Sequence, residues 1–352
     1  MVNIALDCRY IGKSGIGTYI ESIADELILG HSENRYLLVL NKELPGKWRK
    51  SNVDMLITDI KPFSLKELFT FPTTQINECD AFFTPYVNVP GNLRIPVYTT
   101  IHDMVFFDVD GLVSPIGKTV RKLYYKRAIG LSKRLFTVSE FSKERILHYF
   151  PTKKEMIVGY NGVSNKVKES HCQTSPKENY YIYVGNIKSH KGLKTLLGAY
   201  SEATMRGLSS KLLIVGNSEN FRTKDKSFLQ TLKSNPNIEF TGWVSDEKLI
   251  ELISKAKALI QPSLYEGFGI PPLEALYLGT NVILSNIPVF KEIYDGLPVT
   301  FFKVGDDEDL SEKLLTFKAR SLPDGIQDRI NKLYSYGIVA NAIIQTIEKD
   351  LI

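Results

Sequence analysis

Two glutamates, Glu266 and Glu274, lie on either side of a short run of backbone-bending residues in this 352-residue chain. The segment YEGFGIPPLEAL, from Tyr265 to Leu276, follows an apolar run, and its Pro-Pro pair suits the first turn of a helix. Glycine loops and helix N-termini present unpaired N–H groups, which bind phosphate or diphosphate. Glu266 in the loop and Glu274 in the helix can accept hydrogen bonds from hydroxyl groups on either side of such a group. A nucleotide-sugar has this arrangement of hydroxyls around a diphosphate.

A pair of glutamates with this spacing is, in isolation, more often two solvated side chains beside a Gly-Pro turn. The complete string EGFGIPPLEA is far more specific and favours a binding site.

Alternating sequence patterns predict the elements that position this segment. Short apolar runs rich in β-branched residues alternate with amphipathic, helix-like stretches over residues 3–149, and the same rhythm restarts near residue 180. Such alternation is typical of βαβ units and parallel sheets. A polar segment over residues 164–179 separates the two series, as an interdomain linker would.

The length of the chain favours two domains, since about 100 to 200 residues per domain is usual. We expect an α/β fold of two doubly wound, Rossmann-like domains that face each other across a cleft. The predicted boundaries are 1–165 for an acceptor-binding domain and 166–335 for a nucleotide-sugar-binding domain. A C-terminal helix over 336–352 is expected to pack back on the first domain.

The string PSLYEGFGIPPLEAL resembles the signature of the retaining GT-B glycosyltransferases of family GT4, the group 1 glycosyltransferases, which include bacterial mannosyl-, glucosyl- and galactosyltransferases of surface polysaccharides. The resemblance covers nearly the whole chain. It implies that Glu266 contacts the donor sugar and that Glu274 contacts the nucleotide ribose. It also implies that the backbone between them lies near the diphosphate, which adds Gly267, Phe268, Gly269 and Ile270 to the donor-binding set.

The segment YYIYVGNIKSHKG is similar to the start of the second domain in this family. The resemblance implies that Lys191 binds the donor diphosphate, and a lysine just beyond the carboxyl end of a strand can stabilise a leaving diphosphate. Many family members have an arginine directly after the glycine, where this chain has Asn186. Lys188 is a candidate for the second positive charge, and otherwise the site relies on Lys191 and backbone amides.

Two segments of the N-terminal half also resemble parts of the family. Gly15 and Gly17 open a helix after the first strand, where the resemblance places the reacting phosphates, although a Gly-x-Gly alone is weak evidence. His102 and Asp103 follow the strand-like run VYTTI, and the carboxyl ends of strands are where α/β sites form. The resemblance implies that this histidine lies next to the donor sugar and the acceptor.

The resemblance implies an enzyme that retains the anomeric configuration and needs neither a metal ion nor another cofactor. The expected catalytic residues are His102, Asp103, Glu266 and Lys191, and the leaving phosphate is expected to accept the acceptor's proton. GDP-mannose is the favoured donor, followed by UDP-hexoses and deoxysugar donors. The expected acceptor is an oligosaccharide or a polyprenyl-diphosphate-linked glycan of O-antigen, capsule or exopolysaccharide synthesis.

Three alternatives remain open. Asp108-Val109-Asp110 is formally an Asp-x-Asp that could bridge Mn²⁺ or Mg²⁺ to a diphosphate in a GT-A-type transferase, but this leaves EGFGIPPLE unexplained. A noncatalytic nucleotide-sugar-binding subunit of a transferase complex would keep the same donor site, and Asn186 leaves some room for it. A nucleotide-sugar epimerase of the same fold would need no acceptor and no basic surface.

The net charge of +5 includes a local excess between Lys118 and Arg145, where nine basic residues face two acidic ones. This composition suits an anionic membrane surface or a phosphate-bearing acceptor, and equally a solvated helix whose Leu and Tyr side chains face the core. Nucleic acid is not an expected partner because no recognised binding motif accompanies the charge. The oligomeric state cannot be predicted.

The expected location is the cytoplasm, with peripheral attachment to the inner face of the cell membrane as an extension. The N-terminus has no signal-peptide pattern, and no window is as long and uncharged as a membrane-spanning helix. Cys8, Cys79 and Cys172 are distant from one another and lack metal-ligand spacing, which suits ordinary thiols in a reducing compartment.

Overall fold

A computed structural model describes residues 1–12, 14–43, 48–170, 176–216 and 235–352. The chain divides into two compact units, of which unit 1 contains Met1–Asn161 and Tyr334–Ile352 and unit 2 contains Gly162–Leu333. The unit boundary therefore precedes the expected position at 165/166, and the C-terminal helix belongs to unit 1. Cys172 and residues 171–175 of the expected linker lie outside the described residues.

Unit 1 is built on a parallel sheet whose seven described strands run in the order β3-β2-β1-β4-β5-β6-β7. The strands are β1 (Asn3–Asp7), β2 (Arg35–Leu40), β3 (Val53–Ile57), β4 (Ala81–Thr84), β5 (Val97–Ile101), β6 (Ser132–Thr137) and β7 (Met156–Val158). The helices are α1 (Ser14–Gly30), α2 (Leu65–Phe69), α3 (Val105–Asp108), α4 (Pro115–Leu131), α5 (Glu140–Tyr149) and, at the end of the chain, α13 (Tyr336–Leu351).

Unit 2 repeats this design with six described parallel strands in the order β10-β9-β8-β11-β12-β13. The strands are β8 (Tyr180–Val184), β9 (Lys211–Val215), β10 (Ile238–Gly242), β11 (Ala258–Gln261), β12 (Asn281–Ser285) and β13 (Val299–Phe302). The helices are α6 (Asn165–Lys168), α7 (Leu193–Met205), α8 (Asp246–Lys255), α9 (Ile270–Tyr277), α10 (Pro288–Tyr294), α11 (Asp307–Thr316) and α12 (Ile326–Leu333).

Both sheets are doubly wound, which confirms the predicted α/β class. The inner strands are buried on both faces, as near-continuous apolar runs such as AFFT in β4 and ALIQ in β11 require. Each strand order reverses once near its middle, between β1 and β4 in unit 1 and between β8 and β11 in unit 2. Ligands of open α/β sheets bind beyond the carboxyl ends of the strands at such switch points. The loops after β8 and β11 are therefore neighbours.

Serine caps fix several helix starts. Ser114, Ser139 and Ser245 each accept a hydrogen bond from a backbone N–H three residues further on, at the first turns of α4, α5 and α8. The expected linker is not simply an irregular connection, because α6 lies within it and packs against α9. No helix among the described residues combines the length and apolar character needed to cross a membrane. Cys8 and Cys79 are both buried.

Candidate active site

The loops after β8 and β11 bring Lys191 and Glu266 into direct contact at the switch point of unit 2. The Lys191 ammonium lies 2.7 Å from Oε1 and 2.7 Å from Oε2 of Glu266. The Glu266 side chain is 10% exposed and that of Lys191 is 22% exposed, so solvent reaches the pair but does not surround it. Two residues that were each expected to contact a ligand therefore form an ion pair with each other.

Close backbone packing fixes these two loops against each other. Gly192 has φ +68°, and a Cβ at this position would lie 1.8 Å from the carbonyl oxygen of Pro262. The carbonyl oxygen of His190 accepts hydrogen bonds from the backbone N–H groups of Leu264 at 2.8 Å and Tyr265 at 3.3 Å. Only glycine fits at position 192 without moving one loop away from the other.

Two buried side chains that sequence reasoning missed support Glu266. Ser263 Oγ donates to Glu266 Oε1 at 2.8 Å, and Gln261 Nε2 lies 3.1 Å from Ser263 Oγ and 3.4 Å from Glu266 Oε1. Ser263 is fully buried and Gln261 nearly so. Both are within the string QPSLYEG, and their nearness to Glu266 in the sequence was the available signal.

The segment from Gly267 to Ile270 forms the turn that starts α9. Gly269 is the N-cap with φ +92°, and a Cβ there would lie 2.5 Å from Phe290 Cε1. The Tyr294 hydroxyl donates to the carbonyl oxygen of Gly269. Gly267, Phe268 and Gly269 are buried, while Ile270 is partly exposed. The turn is thus rigidly packed from behind, as a backbone cradle for an anion would be.

Glu274 lies on α9 and contacts the segment that precedes α6. Ser164 Oγ donates to Glu274 Oε1 at 3.0 Å. Burial raises the pKa of Glu274 to about 7, and the negative charge of Asp246 adds to the increase while the Ser164 hydrogen bonds oppose it. The Glu274 side chain remains partly accessible, so a ligand can reach it.

The basic loop after β8 contains two exposed predicted site residues, Asn186 and Lys188, and a buried histidine, His190, that was not predicted to be part of the site. Asn186 and Lys188 are exposed, and the backbone carbonyl of Asn186 accepts from the Tyr183 hydroxyl at 3.3 Å. His190 is 6% exposed, and its Nδ1 atom has no hydrogen-bond partner among the described residues. Burial, together with the nearby charge of Lys191, lowers the pKa of His190 to about 4. His190 is therefore neutral at physiological pH.

Unit 1 contains a second neutral histidine at the end of β5. His102 Nε2 lies 2.8 Å from the carbonyl oxygen of Pro85, so Nε2 carries the proton and Nδ1 is an acceptor. Its ring makes an edge-to-face contact with Tyr19 at 4.8 Å between centroids. Burial lowers the pKa of His102 to about 4. Asp103 Oδ1 accepts from the N–H of Val105 at 3.0 Å.

The two N-terminal glycines occupy different surroundings in the first βα turn. A Cβ at Gly17 would lie 2.4 Å from the carbonyl oxygen of Tyr10, whereas a Cβ at Gly15 would meet nothing within 4 Å. Gly17 is therefore required by packing. Gly15 lies in the exposed first turn of α1.

Asp108, the first residue of the Asp-x-Asp alternative, has protein partners. Its carboxylate accepts hydrogen bonds from Arg145 Nε at 3.1 and 3.0 Å and from the Tyr149 hydroxyl at 2.8 Å. Asp110 is fully exposed. No cluster of three or more His, Cys, Asp or Glu side chains that could hold a metal ion occurs among the residues that the structure describes.

Comparison with known proteins identifies the family. The family described as "Glycosyl transferases group 1" matches residues 167–332, which include Lys191, Glu266 and Glu274. The chain is 31% identical over 239 residues to the O-antigen chain mannosyltransferase RfbU of Salmonella typhimurium, an alignment that covers 67% of this chain and 64% of that protein. Residues 167–332 of this chain therefore belong to the group 1 glycosyltransferase family.

A second relative of this chain is the O-antigen chain mannosyltransferase B of Escherichia coli. It is 27% identical over 222 residues, which cover 59% of this chain and 58% of that protein. The alignments thus span less than two thirds of the length of either relative.

Solved structures confirm the GT-B fold of this chain. The sucrose-phosphate synthase of Thermosynechococcus elongatus superposes with a TM-score of 0.74 at 17% identity, over 99% of both chains. The HepE protein of Anabaena, crystallised with UDP-glucose, superposes with a TM-score of 0.72 at 15% identity, over 99% of this chain and all of that one.

A buried ion cluster in unit 1 was not anticipated from the sequence. Arg9 binds both carboxylate oxygens of Asp7 through Nε at 2.8 Å and Nη2 at 2.7 Å, and Nη2 also lies 2.6 Å from Glu67. Asn88 donates to Glu67 at 2.9 Å. These four side chains are almost completely buried at the end of β1, where they tie α2 and the loop after β4 to the sheet.

Proposed function

We propose that this chain transfers a hexose from a nucleotide-sugar, with GDP-mannose favoured, to a glycan acceptor in surface-polysaccharide synthesis. UDP-hexoses and deoxysugar donors are next in order. The observation that carries the proposal is the Lys191–Glu266 pair at the β8/β11 switch point, because a cation and a carboxylate there suit a diphosphate and a sugar hydroxyl. Two relatives are named O-antigen chain mannosyltransferases, which supports mannose as the sugar.

The residues of unit 2 would divide the donor between them. Lys191 and the N–H groups at the start of α9 would stabilise the leaving diphosphate. Lys188 would supply a second positive charge, and the backbone at Asn186 would lie near the diphosphate. Glu266 would accept a hydrogen bond from a hydroxyl of the hexose. Glu274 would accept one from the ribose, and its ionised form is the stronger acceptor.

The proposed reaction retains the anomeric configuration and uses no metal ion. The acceptor oxygen forms a bond to the anomeric carbon on the face from which the diphosphate departs, and the bond from that carbon to the phosphate oxygen breaks. The proton of the acceptor hydroxyl passes to the departing diphosphate. In unit 1, His102 Nδ1 is a fixed acceptor that would orient a sugar hydroxyl, and Asp103, Gly15 and Gly17 are the other residues of this unit that we assign to the reaction.

A thermal-shift screen with GDP-, UDP-, dTDP- and ADP-sugars, run with EDTA present, tests the donor assignment. We expect one nucleotide class to stabilise the wild type by about 2.7 kcal/mol at 100 times its Kd. The shift should shrink in Glu274→Ala. A shift that requires added Mn²⁺ or Mg²⁺ would instead favour a metal-dependent transferase.

Turnover measurements separate the remaining alternatives. Transfer of labelled mannose to a lipid-linked or oligosaccharide acceptor is the expected result, with the α-anomer of the donor giving an α-linked product. If the protein binds the donor but neither transfers the sugar nor slowly hydrolyses the donor, a noncatalytic subunit is favoured. Interconversion of free nucleotide-sugars without an acceptor would favour an epimerase.

We also propose that unit 1 contacts an anionic membrane surface through α2 and α4, where a lipid-linked acceptor would be found. Helix α4 carries no acidic residue in its sequence, PIGKTVRKLYYKRAIGL. Ile116 and Leu123 on α4 are 78% and 63% exposed, and Leu65 and Phe69 on α2 are 74% and 70% exposed. Apolar side chains beside lysines, with no acid on the helix, complement a surface of anionic lipids.

Lysines rather than arginines supply the accessible charge of this surface. Arg127 donates to the carbonyl oxygens of Val89 and Pro90, and Arg145 is bound to Asp108, so both arginines serve the fold. Lys122 and Lys126 are exposed. Lys122 lines two cavities, of about 340 and 410 Å³, that both include Tyr149 and Phe150, and Lys126 lines the second of them.

Vesicle co-sedimentation tests the membrane proposal. The protein should sediment with vesicles that contain anionic phospholipid and remain in solution with phosphatidylcholine alone. Lys122→Glu with Lys126→Glu, and separately Leu123→Ser, should abolish sedimentation, whereas Met205→Ser, which alters an 80% exposed residue of unit 2, should not. If the variants change only the oligomeric state in solution, the surface binds a second copy of the chain and the membrane proposal is wrong.

A further inference from the structure

Building on the nucleotide-sugar donor proposed above, we infer that the site couples recognition of the sugar to binding of the diphosphate. Lys191 caps Oε2 of Glu266 until a diphosphate attracts the ammonium, and Ser263 is the positioning residue that keeps the uncapped carboxylate aimed at the hexose. Recognition of the sugar by Glu266 would then depend on prior or simultaneous binding of the diphosphate.

The two oxygens of Glu266 have unequal partners. Oε1 accepts from Ser263 Oγ at 2.8 Å, lies 3.4 Å from Gln261 Nε2 and lies 2.7 Å from the Lys191 ammonium. Oε2 accepts only from Lys191, at 2.7 Å, among the residues that the structure describes. Removing the ammonium therefore leaves Oε1 held and Oε2 available.

The support of Oε1 is rigid because it starts from the sheet. Gln261 is the last residue of β11, and Ser263 follows two residues later with no exposed surface. The carbonyl oxygen of Ser263 accepts from the Ser285 hydroxyl, at the end of β12, at 2.5 Å. Gln261 thus holds the Ser263 hydroxyl against Glu266 Oε1, whereas Ser285 contacts only the backbone of Ser263.

Lysine suits the role of a movable cap. Its ammonium is a compact charge with three donors on a flexible stem, so it can turn towards a new anion without losing every bond to Glu266. A diphosphate carries more negative charge than one carboxylate and competes for the same ammonium. Once the ammonium turns, Oε2 is a partly buried acceptor that needs a donor, and a hexose hydroxyl supplies one.

In the absence of a ligand, the Lys191 ammonium also neutralises the negative charge of Glu266, which would otherwise repel a diphosphate. An unpaired carboxylate at 10% exposure would repel the incoming anion. The cap therefore has two consequences that can be measured. Sugar and diphosphate should bind cooperatively, and the loss of Lys191 should harm diphosphate binding more when Glu266 keeps its charge than when it does not.

Ser263→Ala tests the positioning role, with Ser285→Ala as the matched control. Both changes delete a buried hydroxyl next to the same backbone, but only the first removes a donor to Glu266. Calorimetry with GDP and GDP-mannose, and in parallel with UDP and UDP-glucose, gives the ratio of the two affinities. Ser263→Ala should keep the Kd of the nucleoside diphosphate within about twofold and weaken the nucleotide-sugar about tenfold.

Ser285→Ala should keep the wild-type ratio of the two affinities, even if it lowers the melting temperature. Equal changes of the ratio in both variants, or no change in Ser263→Ala, would show that Ser263 acts only through the fold and would overturn its assignment as a positioning residue.

A double-mutant cycle tests the cap without requiring Ser263 variants to fold. Lys191→Met should weaken GDP binding strongly because it leaves Glu266 charged and unpaired beside the diphosphate. Adding Glu266→Gln to Lys191→Met should then restore GDP affinity about fivefold. A double variant that binds GDP no better than Lys191→Met overturns the cap. If the wild type binds none of GDP, UDP, dTDP and ADP, the proposed function fails and the inference with it, which is a different outcome from binding without coupling.

Discussion

Glu266 and Glu274 share one loop and one helix, and their carboxylates lie in contrasting surroundings. Glu266 has a cation against both of its oxygens and a buried serine behind one of them. Glu274 has the neutral hydroxyl of Ser164 at 3.0 Å, and burial raises its pKa to about 7. The first carboxylate is balanced by a counter-charge, whereas the second is held close to its protonation midpoint.

This difference indicates that the two glutamates respond to different variables. Glu266 is controlled by where Lys191 lies, and so by the presence of another anion. Glu274 is controlled by pH and by any ligand that donates hydrogen bonds to it, because such bonds favour the ionised form. Five experiments break or sharpen this contrast.

Removing the first carboxylate should have the largest effect. Glu266→Ala leaves the Lys191 ammonium without its partner and removes the expected acceptor for the hexose, so kcat/KM for transfer should fall at least about a hundredfold. Steady-state kinetics with a saturating acceptor measures it. Glu274→Ala is the comparison and should act mainly through the KM of the donor. A loss below about fivefold in Glu266→Ala would contradict the assigned role.

Separating the two loops should weaken the Lys191–Glu266 pair through the fold. Gly192→Ala combines φ +68° with a Cβ 1.8 Å from the Pro262 carbonyl oxygen, so it should lower the free energy of unfolding by about 2 kcal/mol. Urea denaturation measures the change. Gly207→Ala is the control, because its φ is +102° but no atom lies within 4 Å, and it should cost only about 1 kcal/mol.

The second carboxylate should make donor binding depend on pH. The ribose binds the ionised form of Glu274 more strongly, so with a pKa near 7 the affinity for GDP should rise by up to about tenfold from pH 6 to pH 8. Glu274→Gln should remove this dependence in calorimetric titrations. An equally steep pH dependence in Glu274→Gln would assign the titration to another group.

The same shift predicts a change of stability with the opposite sign. A carboxyl group whose pKa is raised on folding stabilises the fold at pH values below its usual 4.5, and this contribution is lost as the pH rises through about 7. Glu274→Gln should therefore gain stability relative to the wild type between pH 5 and pH 8, as measured by urea denaturation.

The smallest effect is expected from the partner of Glu274. Ser164 donates to the carboxylate and lowers its pKa, so Ser164→Ala should move the midpoint of the pH dependence of GDP binding upward by about half a pH unit. Ser170→Ala is the control, since Ser170 Oγ donates to the Val167 carbonyl oxygen instead. An unchanged midpoint would mean that Glu274 is stabilised by the ligand alone.

Local patterns predicted much of the fold. Apolar periodicity and turn residues predicted strand β1 at Asn3–Asp7 and strand β5 at Val97–Ile101. They also predicted a helix that opens at Gly15 and Gly17. The strand β7 and the helices α10 and α12 were not expected, because each is short and its apolar pattern covers only one or two turns. The predicted roles of the site residues remain predictions.

The sequence by itself determined the alternation of strands and helices, the turn at Gly267 and Gly269 and the identity of the candidate carboxylates, because these depend on neighbours along the chain. Only the tertiary structure decided their partners. Lys191 and Glu266 are 75 positions apart and Ser164 and Glu274 are 110 apart. A strand order that reverses between β8 and β11 brings the first pair together, and the packing of α6 on α9 brings the second. The ion pair of Glu266 and the hydrogen bond of Glu274 are both long-range contacts, which no local pattern encodes.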